Sequence, residues 1–162
     1  METRVNLGSG NKRIGDHINV DLRVLPKTDI GATVTSLPFP SSSVDSIICS
    51  DVLEHIPRHA IAAALLEWHR VLKPGGTLKI KTPNLRALAA AFLSGEIDLD
   101  EFSRRVYGNQ EGNDRANFHK SGMDRESLSK ALRFVGFQVL FDVDLEGNDR
   151  YNMGIRAVKP EP

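Results

Sequence analysis

Short apolar runs that break into glycine or end at a carboxylate alternate in this chain with longer stretches of helical apolar spacing. Val5 and Leu7 lead into Gly8-Ser9-Gly10, and Ile18-Asn19-Val20 leads into Asp21-Leu22. Each reads as a buried strand, the first closing in a tight turn where missing side chains let a ligand approach the backbone. Only a helical stub, residues 11–14, fits between them, with Gly15-Asp16 turning into the second strand. Residues 23–29 carry Pro26 and read as a connection, followed by a short strand over 30–34. Leu37-Pro38-Phe39-Pro40 keeps the backbone extended, and residues 41–43 are three serines in a loop. Val44 to Cys49 is the most buried strand of the pattern, ending at Ser50-Asp51.

Between Pro57 and Leu72 the apolar residues Ile61, Leu65, Trp68 and Leu72 recur at helical spacing, with Pro57 suited to a first turn. Lys73-Pro74-Gly75-Gly76 stops that helix, 77–82 alternates as a strand, and Pro83-Asn84 opens a helix to about Leu93. Residues 94–122 break the rhythm: a short helix, 99–107, precedes a polar stretch through Gly108 and Gly112. Asp124 is a good N-cap, Leu128, Ala131, Leu132 and Val135 form a stripe, and Gly136 closes it. Residues 137–141 read as a strand, Glu146-Gly147-Asn148-Asp149 as a turn, and Tyr151 to Val158 as a last strand antiparallel to the one before it. Strands alternating with helices predict an α/β domain with a parallel sheet.

Ligands of such sheets sit beyond the carboxyl ends of the strands, where an acid ending the second strand can hold a ribose diol. Arg13 stands where a dinucleotide fingerprint needs its third glycine, and Gly10 and Asp21 are 11 residues apart, against roughly 20 in that fingerprint. A glycine turn and a ribose acid with little helix dipole suit a cofactor without phosphates, S-adenosylmethionine. A nicotinamide cofactor is disfavoured by the missing glycine.

The 162 residues balance 21 basic against 21 acidic side chains. That gives one domain, 1–162, with no global field to attract nucleic acid. Cys49 is the single cysteine, so neither an internal disulfide nor a multi-cysteine zinc site is available. The histidines lack a recognised metal-ligand spacing, and no metal is expected. No apolar stretch reaches the ~20 residues needed to span a bilayer, and no leader precedes the first strand, which predicts a cytoplasmic protein with no membrane partner.

These segments together resemble the class I S-adenosylmethionine-dependent methyltransferases, in particular the small type 11-like predicted methyltransferases of bacteria. The resemblance is carried by residues 6–10, 19–22, 37–39, 43–45, Val52-Leu53-Glu54-His55-Ile56, 72–76, 82–84 and Phe118-His119-Lys120-Ser121-Gly122. It implies a Rossmann-like methyltransferase fold: a mostly parallel seven-stranded sheet of order 3-2-1-4-5-7-6, last strand antiparallel, with helices on both faces. It also implies cofactor contacts from Asn6, Gly8, Ser9, Gly10, Asp21, Leu22, Thr33, Val34, Ser50 and Asp51. Asn6 and Thr33 replace acids common in the family, and Asn6 brings no charge to the methionine ammonium.

Methyl transfer needs an acceptor positioned against the methyl group and, for some acceptors, a base. His55, at the lip of the site beside Glu54, and His119, at the end of the 94–122 segment near Tyr107 and Lys120, are the candidate catalytic residues, with Tyr107 the third. His17, His59 and His69 read as surface or helix-face positions, Trp68 as core, and Arg133, Arg150 and Arg156 as solvated charges. The expected acceptor is a small molecule or a glycan, residues 94–122 forming a lid or substrate segment. A non-catalytic cofactor-binding or interaction module is the alternative. So small a domain could also form a homodimer.

Overall fold

In the computed structural model, which describes residues 2–110, 117–140 and 150–162, seven strands form one sheet of order β3-β2-β1-β4-β5-β7-β6. The strands are β1 (Arg4–Leu7), β2 (Ile18–Asp21), β3 (Ile30–Gly31), β4 (Val44–Ser50), β5 (Leu72–Pro83), β6 (Gln138–Leu140) and β7 (Asn152–Val158). β7 runs antiparallel to both β5 and β6, and the other pairings are parallel. Order and direction are those expected. The helices are α1 (Ile61–Val71), α2 (Leu85–Leu93), α3 (Leu99–Tyr107) and α4 (Arg125–Phe134).

Fully buried side chains of β1, β4 and β5 (Val5, Leu7, Ile47, Leu78, Ile80) meet Leu65 and Trp68 of α1 and Leu128 and Leu132 of α4 in one core. Helix starts follow the sequence signals. The Asn84 side chain accepts from the N–H groups of Arg86 and Ala87, and Asp124 forms a capping box with Ser127. Pro57 precedes a single 3-10 turn, Arg58–Ala60, that leads into α1.

The structure departs from the expectations in several places. No helical stub forms between β1 and β2. The connection is held by Asn19, whose Oδ1 accepts from Ile14 N (3.0 Å) and Asn6 Nδ2 (2.9 Å), while its Nδ2 donates to His17 O (2.8 Å) and Asp29 Oδ2 (3.0 Å). One buried amide thereby replaces the hydrogen bonds a helix would supply. His17 lies in this turn with its side chain largely covered, and its Nδ1 meets Asp16 at 2.7 Å. β3 ends at Gly31, because Thr33 and Ser36 pair with each other. β5 begins at Leu72, with Lys73-Pro74-Gly75-Gly76 carried as a bulge: its partners on β4 jump from Val44↔Leu72 to Ser46↔Thr77.

Residues 94–110 and 117–122 are folded rather than loose. Phe92 of α2 stacks on Phe102 of α3 at 4.8 Å, and Phe102 packs against a small second core of Leu88, Ala91 and Tyr151. Arg150 is more than a solvated charge: its guanidinium pairs with Glu96 and lies over the Tyr151 ring. The expected turn at 146–149 and the end of the strand at Phe141 lie outside the described residues. No helix of the described residues is long and apolar enough to cross a membrane.

Asn19 is fully buried, and an orphaned buried polar group costs about 1–3 kcal/mol. Asn19→Ala should therefore lower the unfolding free energy by about 3 kcal/mol or more, read as a fall in the urea midpoint at unchanged slope.

Candidate active site

The turn after β1 is built for close approach. Gly8 has φ +65, and a Cβ there would lie 2.2 Å from Val52 Cγ2, so the position admits no side chain. The N–H groups of Gly8 and Ser9 both donate to Val20 O, at 2.8 and 3.1 Å, which binds this turn to β2. Asp21 ends β2 with its carboxylate shared: Oδ2 accepts from Gly10 N at 2.8 Å and Oδ1 from Arg23 N at 2.9 Å. Ser9 Oγ is buried without a hydrogen-bond partner. Such an orphan beside a glycine turn marks a place for a ligand or water.

A cavity of about 500 Å³ opens against this turn. Gly8, Asp21, Thr33 and Asp51 give its polar wall; Leu22, Val34, Val52, Ile56 and Pro57 give its apolar wall. Leu22 is 75% exposed, an apolar side chain left uncovered where a flat ring can pack. Val34 is fixed from behind by the buried Trp68, whose Nε1 donates to Val34 O at 2.8 Å. Glycine turn, ribose-type acid, orphan hydroxyl and apolar slot fit S-adenosylmethionine.

The β4–α1 connection forms the facing side of the crevice. Asp51 turns the chain at φ +56, unusual for a residue with a side chain, and its N–H donates to Lys81 O. Val52 then packs on Gly8, and Leu53–His55 make one 3-10 turn. A second cavity, about 220 Å³, is lined by Asp51, Glu54, His55, Arg105, His119 and Tyr151 among others. The two cavities share Asp51 and His55.

The rings of His55 and His119 stand edge to face at 5.0 Å. Burial lowers the pKa of both below the usual histidine value, which keeps them neutral near pH 7. Glu54 is 4% exposed, and burial, opposed by a bond from its own backbone and reinforced by Asp51, pushes its carboxyl up to about 7. Thr82 Oγ1 donates to Glu54 Oε2 at 3.0 Å.

Of the residues expected in the site, Gly8, Asp21, Leu22, Thr33, Val34, Asp51 and His55 line the larger cavity, and His119 the smaller. Asn6 lines neither; it lies beneath the turn, its amide donating to Asn19 and to Lys12 O. Ser9 and Gly10, in the turn, and Ser50, which ends β4, also line neither cavity. The Tyr107 side chain is 58% exposed and contributes only a carbonyl, which accepts from His119 N. Val52, Glu54, Asn117 and Tyr151 also line the cavities, although only Glu54, as the neighbour of His55, has a place in the expected site. Alternation could not find them, since each reaches the site through packing between distant segments.

Topology and site geometry define a class I methyltransferase fold. Residues 16–80 match the methyltransferase domain family. A probable S-adenosylmethionine-dependent methyltransferase of Mycolicibacterium smegmatis is 38% identical over 60 residues, which cover 36% of this chain and 23% of that protein's length. Among solved structures, Burkholderia thailandensis 1,6-didemethyltoxoflavin-N1-methyltransferase, with bound 1,6-didemethyltoxoflavin and S-adenosylhomocysteine, superposes with TM-score 0.68 at 16% identity over 98% of this chain and 71% of its own. A Haloferax volcanii methyltransferase in complex with an activator protein gives 0.65 at 17% identity, over 99% and 83%.

Glu54 supplies a test of the buried site in chelator-treated protein. Its folded pKa lies above the ordinary 4.5, so the native state binds the extra proton and stability falls as pH rises from about 4.5 to about 7. Glu54→Gln removes that loss. The variant should exceed wild type by about 3 kcal/mol at pH 8, with the difference nearly gone at pH 4.5; the histidines are common to both proteins and cancel in the comparison.

Proposed function

We propose that this chain binds S-adenosylmethionine in the larger cavity and transfers its methyl group to a small-molecule or glycan acceptor in the smaller one. The observation that carries this reading is the meeting of the two cavities at Asp51 and His55, which gives a donor and an acceptor adjoining sites. The cofactor supplies an activated methyl group on a sulfonium sulfur. In this reading Asp21 holds ribose hydroxyls, Leu22 and Val34 pack on adenine, and the turn at Gly8 and Ser9 faces the methionine portion. His55 and His119 present neutral ring nitrogens to the smaller cavity, where they act on the acceptor. A volume of about 220 Å³ suits a small acceptor or the terminal group of a larger one.

The 94–122 segment serves in this reading as a substrate wall rather than a free lid. Its described parts dock on the core: Lys120 N and Ser121 N donate to Glu54 O at 2.7 and 3.1 Å. Asn117 and Lys120 reach the larger cavity. The inward-turned Asn6 favours a second reading, a cofactor-binding module without turnover, because no acid lies there to draw the ammonium.

Isothermal calorimetry separates the readings. Wild type should bind S-adenosylhomocysteine in the micromolar range, and Asp21→Ala should weaken binding at least tenfold, about 1.4 kcal/mol. No binding by the wild type would overturn the proposal, whereas binding without methyl transfer to any of a panel of acceptors would favour the module.

A further inference from the structure

We infer that Glu54, His55 and His119 form a binding site for one divalent transition-metal ion in the smaller cavity. Each offers one ligand atom, and these atoms all lie within 4.8 Å of one another. A coordination sphere with bonds of about 2.1 Å is about 4.2 Å across, so the three atoms already lie within little more than one sphere.

The hydrogen bonds behind the two imidazoles are those a metal site requires. His55 Nδ1 meets Phe118 O at 3.1 Å, and His119 Nδ1 meets Arg105 O at 3.1 Å. A carbonyl can only accept, so both Nδ1 atoms carry the proton and both Nε2 atoms keep a lone pair. A backbone carbonyl on the rear nitrogen of a ligating histidine fixes tautomer and ring orientation. Glu54 brings an oxygen ligand that becomes anionic when an ion binds. Its carboxylate is buried, takes a hydrogen bond from Thr82, and forms no ion pair with a lysine or arginine among the described residues. Neither imidazole hydrogen-bonds to it. The three groups thus stand within one small space with no hydrogen bond among them, and an entering cation displaces any proton on the carboxyl.

The scaffold holds this arrangement before any ion arrives. Residues 53–55 and 118–121 are tied by Lys120 N and Ser121 N to Glu54 O and by Ser121 Oγ to Leu53 O (3.0 Å), so backbone bonds flank all three ligands. Two imidazoles and one carboxylate suit zinc, manganese, iron, cobalt or nickel better than magnesium or calcium. Three protein ligands leave coordination positions open toward the cavity. Resting on the methyltransferase reading, an open position takes an acceptor hydroxyl, the two histidines then acting on it through the ion rather than as free bases. Its proton leaves to solvent, its oxygen bonds to the methyl carbon, and the carbon–sulfur bond breaks with its electron pair going to sulfur, which becomes a neutral thioether.

The test titrates the chelator-stripped 162-residue chain with Co²⁺ and, separately, with Mg²⁺. Wild type should take up one Co²⁺ with visible d–d absorption, released by Zn²⁺ and not by Mg²⁺. His119→Ala and Glu54→Gln should each weaken uptake at least tenfold while their far-UV spectra and melts in chelator stay cooperative, and His59→Ala, at an exposed position, should bind as wild type does. Should an alanine variant not fold, His119→Gln serves in its place. Absence of stoichiometric cobalt in the wild type, or full uptake by the His119 variants, would overturn the site. Cobalt uptake in a protein that binds no S-adenosylhomocysteine would support the metal site and remove only the role given to the acceptor.

Discussion

The adjacency of β1 and β4 is the constraint on which the rest of this molecule depends. The two strands are far apart in the chain, yet they pair in register from Arg4↔Ser46 to Leu7↔Cys49 and end at the same edge of a parallel sheet. From β1 the chain proceeds to β2 and β3 on one side, and from β4 to β5 and β7 on the other. A crevice opens at the point where the order diverges. Gly8 and Asp51, the first residues past the two strands, both take positive φ, and Val52 fills the space that a side chain at position 8 would need. The floor of the larger cavity is therefore a packing contact between two turns, which makes the absence of one Cβ a condition for the site.

Polar groups near this edge are treated in two contrasting ways. Buried Asn6 and Asn19 bond to each other, to the exposed Asp29 and to the surrounding backbone, so the short β1–β2 connection is held without a helix. Glu54, His55 and His119 are instead fixed from behind, by Thr82, Phe118 and Arg105, and left unpaired in front. A fold that satisfies nearly every buried polar atom and leaves a convergent set open at a cavity concentrates its unspent interaction energy there. The same contrast separates Asp21, whose oxygens brace the glycine turn while facing the cavity, from Ser9, whose hydroxyl is buried and unpartnered.

The pattern of the chain foretold most elements because each carries a local signal. Asn84 and Asp124 mark helix starts with side chains that accept the first free N–H groups, and the alternation of 77–82 survives in β5 because one face of that strand is deeply buried. Expectation failed where a nonlocal contact replaced a local one. Asn19 made a helix unnecessary after Gly10, and the bulge at 73–76 kept the backbone in the sheet although its Pro-Gly-Gly composition signals a stop. Of the histidines, His55 was legible by its place after β4 and His119 by its polar surroundings. Their convergence with Glu54 was not, since it depends on a 3-10 turn and on a return of the chain over that turn.

What the sequence by itself determined is the order of strands and helices, the glycine turn, the acid after β2 and the resemblance to a methyltransferase. All are written in spacing and side-chain type within a few residues. Tertiary structure alone decided that Asn6 turns inward, that Tyr107 offers only its carbonyl, and that two cavities meet at Asp51 and His55. The physical reason is range. Turn geometry and capping act over three or four residues, whereas the site is assembled by sheet pairing and by backbone hydrogen bonds between residues more than sixty apart, and no local pattern encodes the direction in which such distant side chains finally point.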